Sequence, residues 1–250
     1  FAQCSRRSAG AFPMTVMRFI APAVICAAIA TPVSADVTLH LKRTNSDVRG
    51  SVIDSTEYRK GAKVRTDSSG SSIASVSMIV DAGTGRVIML THDAKTAEVF
   101  DARKNAALRK DSVPEVKHSF TPTVESRQIA GWTCTTYDFT ASLEYAPVNE
   151  ARRRRIVFER SMCLVKDGPG QADFSALYRA ESALGLGSTN EVHRLVPELG
   201  VPFASKQTVR VGGERTKELT THTSEVISVS TAPIPDSIFE IPPDYTVIQR

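Results

Sequence analysis

Cysteine, histidine, serine and arginine are the side chains here whose types and spacing could do chemistry. Of four cysteines, Cys4 and Cys26 precede residue 36, while Cys134 and Cys163 each sit inside a run that reads as a strand. In an oxidising compartment, an even pair of that kind points to a disulfide rather than a metal site or a nucleophile, with two free buried thiols as the alternative. The five histidines, His40, His92, His118, His193 and His222, are dispersed. No His-x-x-x-His or Cys-x-x-Cys spacing holds them together, so neither a metal nor another cofactor is expected. Serines are plentiful, but no Gly-x-Ser-x-Gly elbow presents one. Ser69 and Ser71 flank Gly70 in a stretch, 67–72, whose composition predicts a solvated loop. No catalytic constellation can be assembled, and a non-enzymatic protein is expected. The run Arg152, Arg153, Arg154 and Arg155 is a candidate contact for lipid phosphates or anionic envelope polymers. A solvated strand end, or an edge guarded against aggregation, is the plainer account of it.

These residues need elements to position them. Residues 129–143 and 154–165 alternate in the manner of strands, and we read them as two antiparallel strands cross-linked through Cys134 and Cys163. A loop of about 30 residues closed in this way contributes about 3–4 kcal/mol through the unfolded chain. Trp132, the single tryptophan, is expected in the core beside the disulfide. Upstream, 37–41 alternates apolar and polar, 51–59 and 63–66 continue the pattern, and 76–80 and 86–90 flank a glycine-containing loop as a hairpin. Residues 96–100 add the next strand. Residues 111–122, polar and with two prolines, predict an irregular crossing. The period changes at 171–186, where Phe174, Leu177, Tyr178 and Leu184 share one face of an amphipathic helix. A glycine-split hairpin over 203–229 and a proline-rich closing segment over 232–245 complete the chain. Nine to eleven strands and one or two helices are expected, a meander that favours a sandwich or barrel.

The N-terminus reads as an address rather than as fold. Residues 19–30 form an apolar core of signal-peptide length, short for a membrane span, and Val33 and Ala35 suit cleavage after Ala35. A retained anchor is the alternative. The expected layout is upstream residues and a cleaved signal peptide over 1–35, then a single domain over 36–250. The expected location is periplasmic or secreted. A net charge of +4 is too mild to suggest nucleic acid.

Three motifs carry a resemblance: the hairpin 78–90 followed by 96–100, the run Ile129-Ala-Gly-Trp-Thr-Cys-Thr-Thr-Tyr137, and the ending Phe239-Glu-Ile-Pro-Pro-Asp-Tyr245. Together the chain resembles a family of uncharacterised bacterial exported domains related to the periplasmic lipoprotein carrier LolA and to LolB and LppX. The resemblance implies a mainly β fold: a strongly curved antiparallel sheet, or half-open barrel, with one or two helices on its concave side. It also implies an interior that holds acyl chains. Two features depart from the LolA carrier, namely the cysteine pair and the arginine run.

The expected function is binding of a hydrophobic ligand, a lipid or acyl chain, in the half-barrel. Phe174, Leu177, Tyr178 and Leu184 are its candidate gate. The alternative is an envelope module with a filled core that docks a partner protein.

Overall fold

The computed structural model describes residues 36–46, 51–70, 73–104, 116–145, 154–183, 191–212 and 216–250. The segment expected to be a signal peptide lies outside them. The described strands are β1 (Val37–Asn45), β2 (Ser51–Lys60), β3 (Lys63–Gly70), β4 (Ile73–Asp81), β5 (Arg86–Thr91), β6 (Thr96–Asp101), β7 (Val116–Ile129), β8 (Trp132–Tyr145), β9 (Arg154–Val165), β10 (Val201–Gly212), β11 (Thr216–Ser230) and β12 (Thr246–Gln249). Two helices, α1 (Gln171–Ala183) and α2 (Glu191–Leu199), connect β9 to β10.

All twelve strands join one sheet in the order β12-β6-β5-β4-β3-β2-β1-β11-β10-β9-β8-β7. Every neighbouring pair is antiparallel except β12 with β6. The sheet curves without closing. Its curvature can be read from one ion pair: Arg127 of β7 lies 3.4 Å from Glu225 of β11. Four inter-strand steps on a flat sheet would separate those strands by about 19 Å. The half-open barrel expected from the sequence is therefore the observed architecture.

Alternation explains the inner face. Val37, Leu39 and Leu41 of β1 are buried, while the alternating His40 and Lys42 are exposed, the period-2 pattern of a strand with one face on a core. These residues pack with Phe139, Met162, Phe174, Val196 and Phe203 into the main core cluster, which α1 and α2 help to fill. Leu177, one turn along α1, instead packs with Val64, Val80, Val87 and Ala102. The helix thus fills the hollow of the sheet on both of its halves.

The hairpin β4–β5 does not alternate, because both its faces are covered. Val80 and Val87 face α1, whereas Ile79, Ile88 and Leu90 face the opposite way and pack with Ile234 and Phe239 of the closing segment. That segment is also held by polar contacts. Lys60 donates to the Ile234 carbonyl at 2.7 Å, Arg65 to the Ile238 carbonyl at 2.8 Å, and Lys95 pairs with Asp244 at 2.8 Å.

Acid should loosen this strap first. The Asp236 carboxyl is held below its ordinary range by the Lys60 hydrogen bond and charge, and Asp244 by its hydrogen bond from Lys95. A lowered folded-state pKa stabilises above the unfolded value and ceases to do so as pH falls through the folded one. Asp173, at the start of α1, runs the other way, since burial raises its carboxyl and acid relieves that penalty. Protection from hydrogen exchange, relative to the intrinsic rate at each pH, is expected to fall in residues 234–247 below about pH 4, with the N-terminal turn of α1 not following.

The two-residue connection between β7 and β8 accounts for the Ile129-Ala-Gly-Trp132 motif. Ala130 (φ 49°) and Gly131 (φ 82°) both take positive φ, and Ile129 pairs with Trp132 across the turn. This is a type I′ hairpin turn, in which the second position favours glycine. Gly200 plays a different part between α2 and β10: at φ 146°, a Cβ there would lie 2.4 Å from the Val165 carbonyl oxygen.

Four expectations need correction. Twelve strands stand among the described residues, rather than nine to eleven. The crossing expected over 111–122 is a strand from Val116 onward, because Pro122 lies on the edge strand β7, where a missing N–H is tolerated. The loop expected over 67–72 is strand as far as Gly70, held by pairing to β2 and β4 on either side. Trp132 is 37% exposed and meets Phe203 edge-on at 6.2 Å. Its place at the mouth of the hairpin, one residue past the turn, keeps it out of the core.

Candidate functional site

A cleft of about 290 Å³ lies between α1 and the inner face of the sheet. Its apolar lining includes Leu41 of β1, Val64 of β3, Met78 of β4, Phe203 of β10, and Phe174 and Leu177 of α1. Strand pairing puts these residues side by side. Arg59 stands opposite Val64, Glu57 opposite Thr66, and Thr66 opposite Met78. On the far side, Arg160 of β9 stands opposite Gln207 of β10.

The lining is less apolar than the sequence led us to expect. Arg43, Glu57, Arg59 and Arg160 all line the same cleft. Arg59 donates through Nε to Glu57 at 2.5 Å, and Arg43 lies 3.9 Å from the other Glu57 oxygen. The Arg59 guanidinium sits 4.8 Å from the centre of the Phe174 ring, a cation–π contact that couples β2 to α1. None of these charged residues was singled out from the sequence. The signal lies in the parity: Arg59 follows Ser51, Ser55 and Glu57 on one side of β2, and Arg160 sits on the side of β9 that carries Phe158 and Met162. Only the pairing register identifies that side as the inner one.

The expected gate residues are placed in two ways. Phe174 and Leu177 are buried, each in a different core cluster, and Tyr178 is partly exposed and lines the cleft with them. Leu184 lies outside the described residues. Ser175 and Gln171 both donate to the Pro197 carbonyl at 2.8 Å and so tie α1 to α2.

Cys134 and Cys163 form a disulfide, with Cα atoms 5.3 Å apart and a sequence separation of 29. Both are buried in the main core. Of the arginine run, Arg152 and Arg153 lie outside the described residues. Arg154 begins β9, and Arg155 is exposed and donates to Ser142 at 3.1 Å.

One histidine joins a tight network that the sequence did not announce. Ser77 Oγ lies 2.6 Å from His92 Nε2 and donates to Asp67 at 2.5 Å. Arg65 donates to the same hydroxyl at 3.2 Å, and Tyr245 lies 2.6 Å from His92 Nδ1. The donors balance when Tyr245 donates to Nδ1, Nε2–H donates to Ser77, and Ser77 donates to Asp67. A serine beside a histidine invites a nucleophilic reading. Here, however, Ser77 is 0% exposed and its proton already points to a carboxylate, so the network serves as an anchor for Tyr245 on the outer face. Tyr245→Phe is expected to lower stability by about 1–2 kcal/mol, because it leaves His92 Nδ1 short of a partner. Urea denaturation of the two proteins measures this.

Among the described residues, no cluster of His, Cys, Asp or Glu is placed to hold a metal ion. Among them, no helix is long and apolar enough to cross a membrane.

Residues 38–245 match the family described as "Domain of unknown function (DUF4412)". No curated protein matches the chain. The chain belongs to the DUF4412 family.

Proposed function

We propose that this DUF4412 domain is an exported, non-catalytic protein that holds a hydrophobic ligand, a lipid or acyl chain, between α1 and the inner face of its sheet. The observation that carries the reading is the cleft of about 290 Å³ beneath α1, walled by Leu41, Met78, Phe174, Leu177 and Phe203. A volume at the small end of ligand pockets suits one chain rather than several. Each methylene taken from water there contributes about 0.8 kcal/mol before ordering is subtracted. The resemblance to LolA, LolB and LppX supports the same reading, since their half-barrels hold acyl chains. Export is supported by the apolar run before Asp36 and by a disulfide of the kind that persists in oxidising compartments.

The protein should therefore be purified from the periplasm and weighed intact under native conditions. Co-purifying mass that partitions into organic solvent is the expected result. A ligand-free protein that also takes up no fluorescent fatty-acid probe would defeat the reading.

The envelope-module alternative rests on a different observation. Leu219 and Ile227 on β11 are 56% and 57% exposed, apolar side chains that a docking partner would cover. Cross-linking in cells that captures a discrete partner through β11, from a protein with an empty lipid assay, would favour it.

A further inference from the structure

The charged lining of the cleft has a sign. Arg43, Arg59 and Arg160 face a single glutamate, Glu57, among the charged residues that line it, which leaves positive charge in excess. Glu57 already accepts from Arg59 and lies within reach of Arg43. Arg59 is only 5% exposed, yet its Nη1 finds no acceptor among the described residues, and neither does Nε of Arg160. Buried guanidinium N–H groups without acceptors are costly and call for an explanation. A domain with a purely greasy ligand has no need to hold two of them at the edge of the cleft.

We infer that the ligand is an anionic amphiphile, a single acyl chain ending in a carboxylate or phosphate, and that Arg59 and Arg160 hold its head group. The inference rests on the hydrophobic-ligand reading above and gives that ligand its polar end. Guanidinium suits the task, because its planar fork matches both head groups and it stays charged at any physiological pH. The chain lies along Leu41, Met78, Leu177 and Phe203. Phe174, whose ring lies 4.8 Å from the Arg59 guanidinium, turns aside as the head group arrives.

Calorimetric titration of the full domain with decanoate, decyl phosphate, decanol and inorganic phosphate tests this. At least one decyl anion is expected to bind at least tenfold more tightly than decanol, and whichever of the two is tighter identifies the head group. Inorganic phosphate alone is expected to bind at least tenfold more weakly than decyl phosphate. Arg160→Gln should reduce the preference for anion over alcohol several-fold. Arg59→Gln should do the same, but Arg59 also contacts Glu57 and Phe174. Arg160→Gln therefore decides the matter if the Arg59 variant fails to fold. Binding of both decyl anions no tighter than that of decanol overturns the inference and leaves the hydrophobic-ligand reading standing. Phosphate binding as tightly without a chain overturns it too, and failure of every chain-bearing probe removes both.

Discussion

Replacing Leu177 with Asp is expected to destabilise the domain by about 4 kcal/mol or more, a large share of the stability that a folded domain holds in reserve. Leu177 packs with Val64, Val80, Val87 and Ala102 and is almost wholly buried. Removing a buried leucine side chain alone takes about 2–5 kcal/mol, and a carboxylate in its place has no partner to offset desolvation. Leu177→Ala supplies the control, with the cavity but without the charge. The same variant bears on whether α1 gates the cleft. If the helix only packs, fatty-acid probe uptake and the urea midpoint fall together. If α1 moves as a gate, probe exchange accelerates in Leu177→Ala while hydrogen exchange in the strands of the main core stays slow.

The second large effect concerns the disulfide. Cys134→Ala with Cys163→Ala is expected to lower stability by about 3–4 kcal/mol, the loop-closure contribution of a cross-link spanning 29 residues. For a domain of this size the melting temperature should fall by about 10 °C. Scanning calorimetry of the two proteins measures it directly. Both sulfurs are buried among Phe139, Leu164 and Phe203, so a mild reductant added to the folded protein should act slowly, and quickly once urea opens the core. A drop well under 1 kcal/mol would mean that the unfolded chain already keeps β8 and β9 together.

How far the fold was legible depended on whether local chemistry and tertiary packing agreed. In β1 the alternation of Val37, Leu39 and Leu41 is both the local signal and the buried face. The turn at Ala130 and Gly131 was equally legible, because a short hairpin limits which residues can occupy it. Local signal misled where context overrode it. Pro122 reads as a breaker, yet an edge strand tolerates it. The serines and glycine near residue 70 read as a loop, yet β2 and β4 pair with that segment on both sides. Trp132 reads as core by residue type alone, yet it sits beside a turn at the rim.

The candidate site was legible in its greasy half only. Phe174, Leu177 and Tyr178 stand out at helical spacing, and the helix they mark does line the cleft. Arg43, Glu57, Arg59 and Arg160 do not stand out, because a charged residue in a strand ordinarily marks the solvent face. Ser77, His92, Asp67 and Tyr245 were similarly invisible, since they come from three strand regions and the closing segment, and only folding brings them within hydrogen-bonding distance.

By itself, the order of residues determined the local elements of this protein: alternating strands, a sharp hairpin, an amphipathic helix and a cysteine pair placed to meet. Each of these depends on neighbours a few positions away, whose side-chain directions the backbone geometry dictates. Tertiary structure alone decided which face of each strand became the inside, and so which charges lie beneath α1. That choice follows from the pairing register between neighbouring strands, here β2 against β1 and β9 against β10, and a one-residue slip would have turned Arg59 and Arg160 out to water.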